Sequence, residues 1–313
     1  MARAKKQQAM INKPKVLVLL GSTSAGKTSL GVKLAAHFQG EVVSADSRQV
    51  YQGMDIGTGK DLKEYQIGGK IIPHHLIDVA NPKNKFDLAQ YQVAALKAIK
   101  DILKRKNLPL IIGGSGLYLQ ALVDNYELGN ATPDHEARAA WEKLPAADLF
   151  KKIQKLKPEF AARINYSDQH NPRRLARYLE IIKHGDLEKV GKKDSPYDFL
   201  ILGLNLPDNV LKIRIKERLL SRLNEGLVEE VKKLQETGLA WPSLEAFGLE
   251  YKFVSQYLQG RFEYEAMVEK LNTAIYRFAK RQKTWFKRWE KQGAKIKWIK
   301  DLKGAEKEIK KWL

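Results

Sequence analysis

Apolar residues in the first third of the chain fall in short unbroken runs that alternate with stretches of helical period. Val16 to Leu20 is one such run, bounded by Pro14 and Gly21; it predicts a parallel strand buried on both faces, and Lys27 to Phe38 predicts a helix after it. Glu41 to Ala45 predicts a second strand that delivers Asp46 at its C-terminal end, and Leu108 to Ile112 a third that delivers Gly113, Gly114 and Ser115. Between them, Phe86 to Lys106 spaces Leu88, Tyr91, Ala95, Ile99 and Ile102 as one helix face and ends in a basic turn, which the helix dipole favours. This alternation predicts an α/β fold with a doubly wound, mainly parallel sheet, in which ligands bind beyond the carboxyl ends of the strands. The segment after Leu20, Asp46 and Ser115 should then converge on one crevice.

After Val123 the pattern changes. From Asn125 to Lys193 the periodicity is helical, charge is dense and no strand is evident; strand signal returns at Asp198 to Leu206. We expect an all-helical insertion over residues 126–190, interrupting a core made of 1–125 and 191–313. In the stretch from Asn209 to Glu236, Ile213, Leu220, Leu223, Leu227, Val231 and Leu234 form the expected buried face. Arg214, Arg218 and Arg222 fall one turn apart on a separate line, which suits either a solvated face paired with Glu217, Glu225 and Glu229 or an anion site. Farther on, Met267, Leu271, Ala274, Phe278, Trp285 and Trp289 predict a core stripe beside a basic strip of Arg277, Arg281 and Arg288.

Composition narrows the partners. The formal charge is +20, and residues 277–313 carry 14 Lys plus Arg against 4 Asp plus Glu, so half of the excess sits in the last 37 residues and favours a polyanion such as nucleic acid. There is no cysteine, which excludes disulfide scaffolds and cysteine-ligated zinc. The N-terminus is basic, but its short apolar stretch runs straight into a glycine loop, and no run approaches the ~18 apolar residues of a membrane span. The expectation is a cytoplasmic protein that does not engage membranes.

That glycine loop, GSTSAGKTSL (21–30), places Gly21, Gly26, Lys27 and Thr28 in the G-x-x-x-x-G-K-[ST] spacing of a P-loop. Backbone amides from Gly21, Ser22, Thr23, Ser24, Ala25 and Gly26 can surround a phosphate, Lys27 adds a cation, and the Thr28 hydroxyl can ligate Mg2+. ATPases, GTPases, small kinases and some transferases all share it. A triphosphatase usually adds an apolar strand ending in an acid. Here LPLII ends in Gly113 and Gly114, leaving Asp46 as the acid best placed to face the loop.

GSTSAGKTSL, SADSRQVYQGMDIGTGK (44–60), PHHLIDV (73–79), PLIIGGSGLYLQAL (109–122), RIKERLLSRLNEGLVEEVKKL (214–234) and RFAKRQKTWFKRW (277–289) together resemble the tRNA dimethylallyltransferase family, in the family's order along the chain. The resemblance implies transfer of a dimethylallyl group from dimethylallyl diphosphate to the exocyclic amine of the adenosine 3′ of the anticodon, in tRNAs reading U-initial codons. The loop would cradle the donor's diphosphate, with Mg2+ near Thr28 and with Arg214 at the family's diphosphate-contacting position. Asp46 would be the general base, its alternatives being a magnesium ligand or a strand-end cap, and Thr23 would lie near donor and acceptor. Asp46, Ser47, Arg48 and Gln49 would lie against the target nucleotide, and Ser115 stands where the family usually has threonine. Arg173, Arg174, Leu175, Ala176 and Arg177 would face tRNA from the insertion, and Arg277 and Arg281 from the C-terminal helix, the two arms gripping the anticodon stem-loop. A monomer without an obligate protein partner is expected.

Tyr51, Tyr118 and Trp285 are either base-stacking or packing residues, and the adjacent His74 and His75 suit a structural role better than a metal pair. The chain reads AFGLEYK (246–252) where the family commonly shows A-I-G-Y-K-E, a departure expected to touch none of the chemical residues. Rival readings are a prenyltransferase acting on free adenine nucleotides, a P-loop small-molecule kinase, and a nucleic-acid-binding module without catalysis.

Overall fold

The structure is a computed structural model describing residues 13–127, 134–184 and 191–313; the basic N-terminal segment and parts of the expected insertion lie outside them. Its central element is a six-stranded, all-parallel sheet. The strands are β1 (Lys15–Gly21), β2 (Gly40–Ala45), β3 (His74–His75), β4 (Leu108–Gly113), β5 (Asp198–Leu204) and β6 (Ile296–Ile299), in the spatial order β6-β5-β1-β4-β2-β3. The continuous apolar runs of β1, β2 and β4 are explained by burial on both faces. Val16, Val18 and Leu20 pack on one side, with α2 (Leu88–Lys104) and α3 (Gly116–Val123); Leu17 and Leu19 pack on the other, with α1 (Lys27–His37).

Helix α2 begins at Leu88 because Asp87 caps it, its carboxylate accepting from the Gln90 backbone while the Gln90 side chain accepts from the Asp87 amide. Edge strand β3 is tied to β2 by the buried carboxylate of Glu41, which accepts from His75, Asn107 and both Nε and a terminal nitrogen of Arg105 at 2.7–2.8 Å. The histidines are thus structural, and Tyr51 and Tyr118 are packed in the core, Tyr118 stacked on Tyr91 with ring centroids 4.0 Å apart.

Residues Asp124–Asp194 form a compact unit of their own. It contains α4 (His135–Trp141), α5 (Ala146–Leu156), α6 (Pro158–Ala161), α7 (Tyr166–Gln169) and α8 (Pro172–His184) around Trp141, Leu149, Ile153, Leu175 and Leu179. A ribbon pairing 126–127 with 191–192 also belongs to it; two residues per strand carry no readable alternation, so the pattern did not announce it.

The other unit, Met1–Val123 with Ser195–Leu313, continues through α9 (Asp208–Asn224), α10 (Leu227–Glu236), α11 (Trp241–Ala246), α12 (Leu249–Leu258), the long α13 (Tyr264–Lys291) and α14 (Leu302–Trp312). The stretch 209–236 is therefore two helices, broken at Gly226 with φ 100°. Its expected buried face also needs correction, because Ile213 is 59% and Leu220 42% exposed, and α9 instead buries Leu211, Ile215, Leu219 and Leu223. The arginine row occupies the face toward the carboxyl ends of the strands, so the apolar row that packs is the one beside it. Among the described residues, no helix is long and apolar enough to cross a membrane.

Candidate active site

The loop after β1 is a backbone nest. Ser24 and Gly26 take left-handed φ values of 58° and 89°, and α1 starts immediately afterward at Lys27. Gly21 is required by packing, since a Cβ there would sit 2.6 Å from the carbonyl oxygen of Leu204 on β5. Ser22 is buried, and Lys27 donates to its carbonyl at 2.7 Å. Burial, aided by Arg218 and opposed by Asp46 and Glu64, lowers the Lys27 ammonium to about 8. A cation held in that state gains most from an anion delivered beside it.

Arg214 donates to the Ala25 carbonyl at 3.5 Å, and Arg218 pairs with Asp61 at 2.9 Å. Both line a cavity of about 260 Å³ together with Ser24, Gly26, Lys27 and Thr28. Arg214 and Arg218 of the arginine row thus stand beside the P-loop, and Arg222 pairs instead with Glu250 at 3.2 Å. Asp61 and Glu64 line the same cavity, with burial and Asp61 raising the Glu64 carboxyl.

Asp46 sits just past β2, its carboxylate accepting from the Arg48 amide at 2.8 Å in a local turn. Ser115 lies beside it: its amide donates to the Ala45 carbonyl at 3.3 Å and its hydroxyl accepts from the Ser47 amide at 3.1 Å. Asp46, Ser47, Arg48, Ser115 and Thr23 line a second cavity of about 360 Å³. A third, smaller space of about 80 Å³, the throat, shares Lys27, Thr28 and Arg218 with the first cavity and Thr23 and Asp46 with the larger one, and has apolar walls from Tyr65, Ile112 and Phe278.

Gln49 also lines the throat, but its amide is engaged, accepting from Ser44 at 2.9 Å and donating to the Gly59 carbonyl at 2.9 Å. Phe278, expected in the core, is exposed at the cavity wall with Arg281 over its ring, because α13 buries Ile275, Ala279, Gln282 and Phe286 instead. Arg277 is exposed on the same helix, lining an outer groove. Trp285 lies against Gly116 with Arg288 stacked on its ring at 4.2 Å.

Within the separate helical unit, Leu175 and Ala176 are fully buried, so neither side chain can reach a nucleic acid. Arg174 is bound to Asp168 and Arg177 to the buried Glu180, which leaves Arg173, near Glu142 at 3.6 Å, as the most exposed cation of the three.

The departure AFGLEYK is not remote. Residues 246–252 span the end of α11, a two-residue turn and the first turn of α12, and they line the larger cavity with Asp46.

Three functional positions were not singled out from sequence. Gln282 accepts from the Thr23 amide at 2.8 Å and donates to the Gly114 carbonyl at 2.9 Å, joining the P-loop to the end of β4. Glu230 accepts from the amides of Asp55, Ile56 and Gly57 at 2.7–3.0 Å and from Tyr251 at 2.8 Å, fastening the DIGTGK loop to the site. Lys60 is buried, donating to Tyr51 at 2.7 Å and Asp55 at 2.6 Å and bound to Asp78. The only sequence signal was their place inside the quoted motifs.

Residues 49–289 match the protein-family model described as IPP transferase. The chain is 43% identical over 302 residues to tRNA dimethylallyltransferase 1 of Syntrophus aciditrophicus, covering 94% of this chain and 97% of the relative. It is 44% identical over 299 residues to tRNA dimethylallyltransferase 2 of Treponema denticola, with coverages of 93% and 97%. Among solved structures, the tRNA isopentenylpyrophosphate transferase of Bacillus halodurans is similar at 36% identity and a TM-score of 0.66, covering 93% of this chain and 90% of that one. A eukaryotic dimethylallyltransferase acting on tRNA is similar at 25% identity and a TM-score of 0.78, covering 95% and 77%. With a P-loop, an acidic residue across a throat from it and a family match over most of its length, the chain belongs to the IPP transferase family.

Proposed function

We propose that this protein transfers a dimethylallyl group from dimethylallyl diphosphate to the exocyclic amine of the adenosine 3′ of the anticodon in tRNAs reading U-initial codons. The observation that carries this reading is the throat: it brings Asp46 and the P-loop residues Thr23, Lys27 and Thr28 onto one enclosed space. The donor's diphosphate suits the cationic cavity, its five-carbon chain the apolar throat, and the adenine the larger cavity.

An adenine amine is a poor nucleophile because its lone pair is delocalised into the ring. As the new carbon–nitrogen bond forms at the allylic carbon and the carbon–oxygen bond to diphosphate breaks, Asp46 takes the amine proton. The departing negative charge meets donors already in place: the loop amides, Lys27, Arg214 and Arg218. Entry of the base requires its extrusion from the anticodon stack, at a cost of about a few kcal/mol. Ser47 and Arg48 border the receiving cavity, and Arg277, Arg281 and Arg173 are exposed cations for the RNA backbone.

Mg2+ fits the donor set, which is oxygen only: the Thr28 hydroxyl with acidic Asp61 and Glu64 in the same cavity. The rest of the ion's ligands would come from phosphate and water. Bound there, Mg2+ would neutralise charge on the diphosphate.

The test is to incubate the protein with Mg2+, dimethylallyl diphosphate and either tRNA or AMP, and to weigh the products. A prenyl increment on tRNA supports the proposal. Transfer to AMP alone, phosphate transfer from ATP, or no product would contradict it.

A further inference from the structure

The cavity beside the P-loop is lined by acids as well as cations. Asp61 and Glu64 share it with Lys27, Arg214 and Arg218. An anion entering it meets two carboxylates, and these are crowded already, since burial and then Asp61 raise the Glu64 carboxyl. A site for diphosphate alone has no use for them.

The placement of Asp61 is unusual. Its backbone is left-handed, with φ 36° and ψ 52°, a conformation that aspartate tolerates more readily than most residues but does not prefer. It stands at the start of the short 3-10 turn Leu62–Tyr65, yet its carboxylate caps none of that turn's amides. Instead it accepts from a terminal nitrogen of Arg218 at 2.9 Å, across 157 positions of chain.

That contact is easy to exchange. The Asp61 side chain is 40% exposed and that of Arg218 32%, so water screens the pair and it contributes about 0–1 kcal/mol. The same guanidinium nitrogen lies 3.5 Å from the Gly59 carbonyl, too far for a firm second anchor. Carboxylate and phosphate oxygens make the same kind of charged hydrogen bond to a guanidinium, and a diphosphate brings more charge and more oxygens to it.

Resting on the transferase reading above, we propose that Asp61 is a surrogate ligand: it occupies Arg218 until the donor's diphosphate exchanges for it, which couples diphosphate binding to a divalent cation. Once displaced, the Asp61 carboxylate shares the cavity with a bound anion, and the two repel each other. Mg2+ expected at the Thr28 hydroxyl relieves that repulsion. The cavity therefore selects metal-complexed diphosphate over the free anion, and Asp61 is the residue that makes the distinction.

The experiment is calorimetric titration of inorganic pyrophosphate, with and without Mg2+, into the wild type, Asp61→Asn, Arg218→Met and the double variant. Without Mg2+, Asp61→Asn should bind pyrophosphate about fivefold more tightly than the wild type, the size of one partly exposed charge pair. With saturating Mg2+ the two should agree within about twofold, while Tm stays at the wild-type value. The affinity of Mg2+ for pyrophosphate in solution is common to every titration, so the difference belongs to residue 61. In the Arg218→Met background the same substitution should change Mg2+-free binding by less than about twofold, because there is no pair left to displace. Equal Mg2+-free affinities in the wild type and Asp61→Asn, with or without a lower Tm, overturn the surrogate role alone. So does a gain that is undiminished by Mg2+ or by the loss of Arg218. A wild type that binds no pyrophosphate even with Mg2+ overturns the transferase reading, and this proposal with it.

Discussion

The amide of Thr23 donates to the side-chain oxygen of Gln282 at 2.8 Å, so a residue of the long C-terminal helix holds the middle of the P-loop from 259 positions away. The same side chain donates to Gly114 at the end of β4. Two loops that approach the throat from different strands are thereby locked in one geometry.

Gln282→Ala should leave the Thr23 amide and the Gly114 carbonyl without partners. We expect kcat/KM to fall on the order of tenfold to a hundredfold through misplacement of the loop, with a stability loss of about 1–3 kcal/mol. Steady-state kinetics beside a urea titration checks both; a variant with wild-type kinetics would remove Gln282 from the positioning role.

Lys27 provides a pH signature. In the free protein burial holds its ammonium at about 8, and a bound anion shifts it back toward its ordinary, higher value. Binding therefore takes up a proton as pH rises through about 8, and pyrophosphate affinity should fall above that pH, approaching tenfold per unit. Calorimetry in buffers of different ionisation enthalpy reads the proton uptake directly. Lys27→Met should bind more weakly and lose this pH dependence.

Glu41 sets an acid limit to stability. The Arg105 hydrogen bonds, reinforced by His75 and Asn107, hold its carboxyl down to about 2. Because the folded value lies below the unfolded one, its contribution is complete above the ordinary carboxylate range and is lost as pH falls toward about 2. Glu41→Gln should cost about 2 kcal/mol at neutral pH, with the gap to wild type closing in acid. Urea midpoints from neutral pH downward measure it.

Glu230→Ala should loosen residues 55–60, since three backbone amides and the Tyr251 hydroxyl lose their acceptor together. Hydrogen exchange at 55–60 should accelerate well beyond any change elsewhere in the sheet, and activity should fall because Thr58 and Gly59 line the throat.

The parallel sheet was legible because strands buried on both faces appear as unbroken apolar runs, and β1, β2 and β4 lie within a residue or so of where Val16–Leu20, Glu41–Ala45 and Leu108–Ile112 placed them. Helix faces were less legible. In α9 and α13 the site draws side chains of mixed character, so Ile213 and Phe278 are exposed while Arg222 and Gln282 are buried, and periodicity alone assigns each to the wrong side. Asp46 could be singled out as a strand-end acid, because its position follows from the strand. Gln282 and Glu230 could not, since their partners lie on loops far away in sequence and polar contacts of that range leave no spacing to read. Leu175 and Ala176 show the converse: a motif that includes them does not say which of its residues face outward.

The central claim is that Asp46 takes the amine proton across the throat from the P-loop. Single-turnover transfer to tRNA by Asp46→Ala, followed by product mass at a pH below 7 where Lys27 keeps its charge, tests it most directly. A rate lower by about a hundredfold to ten-thousandfold, with pyrophosphate binding unchanged, is the predicted result; transfer within a few-fold of the wild-type rate would contradict it.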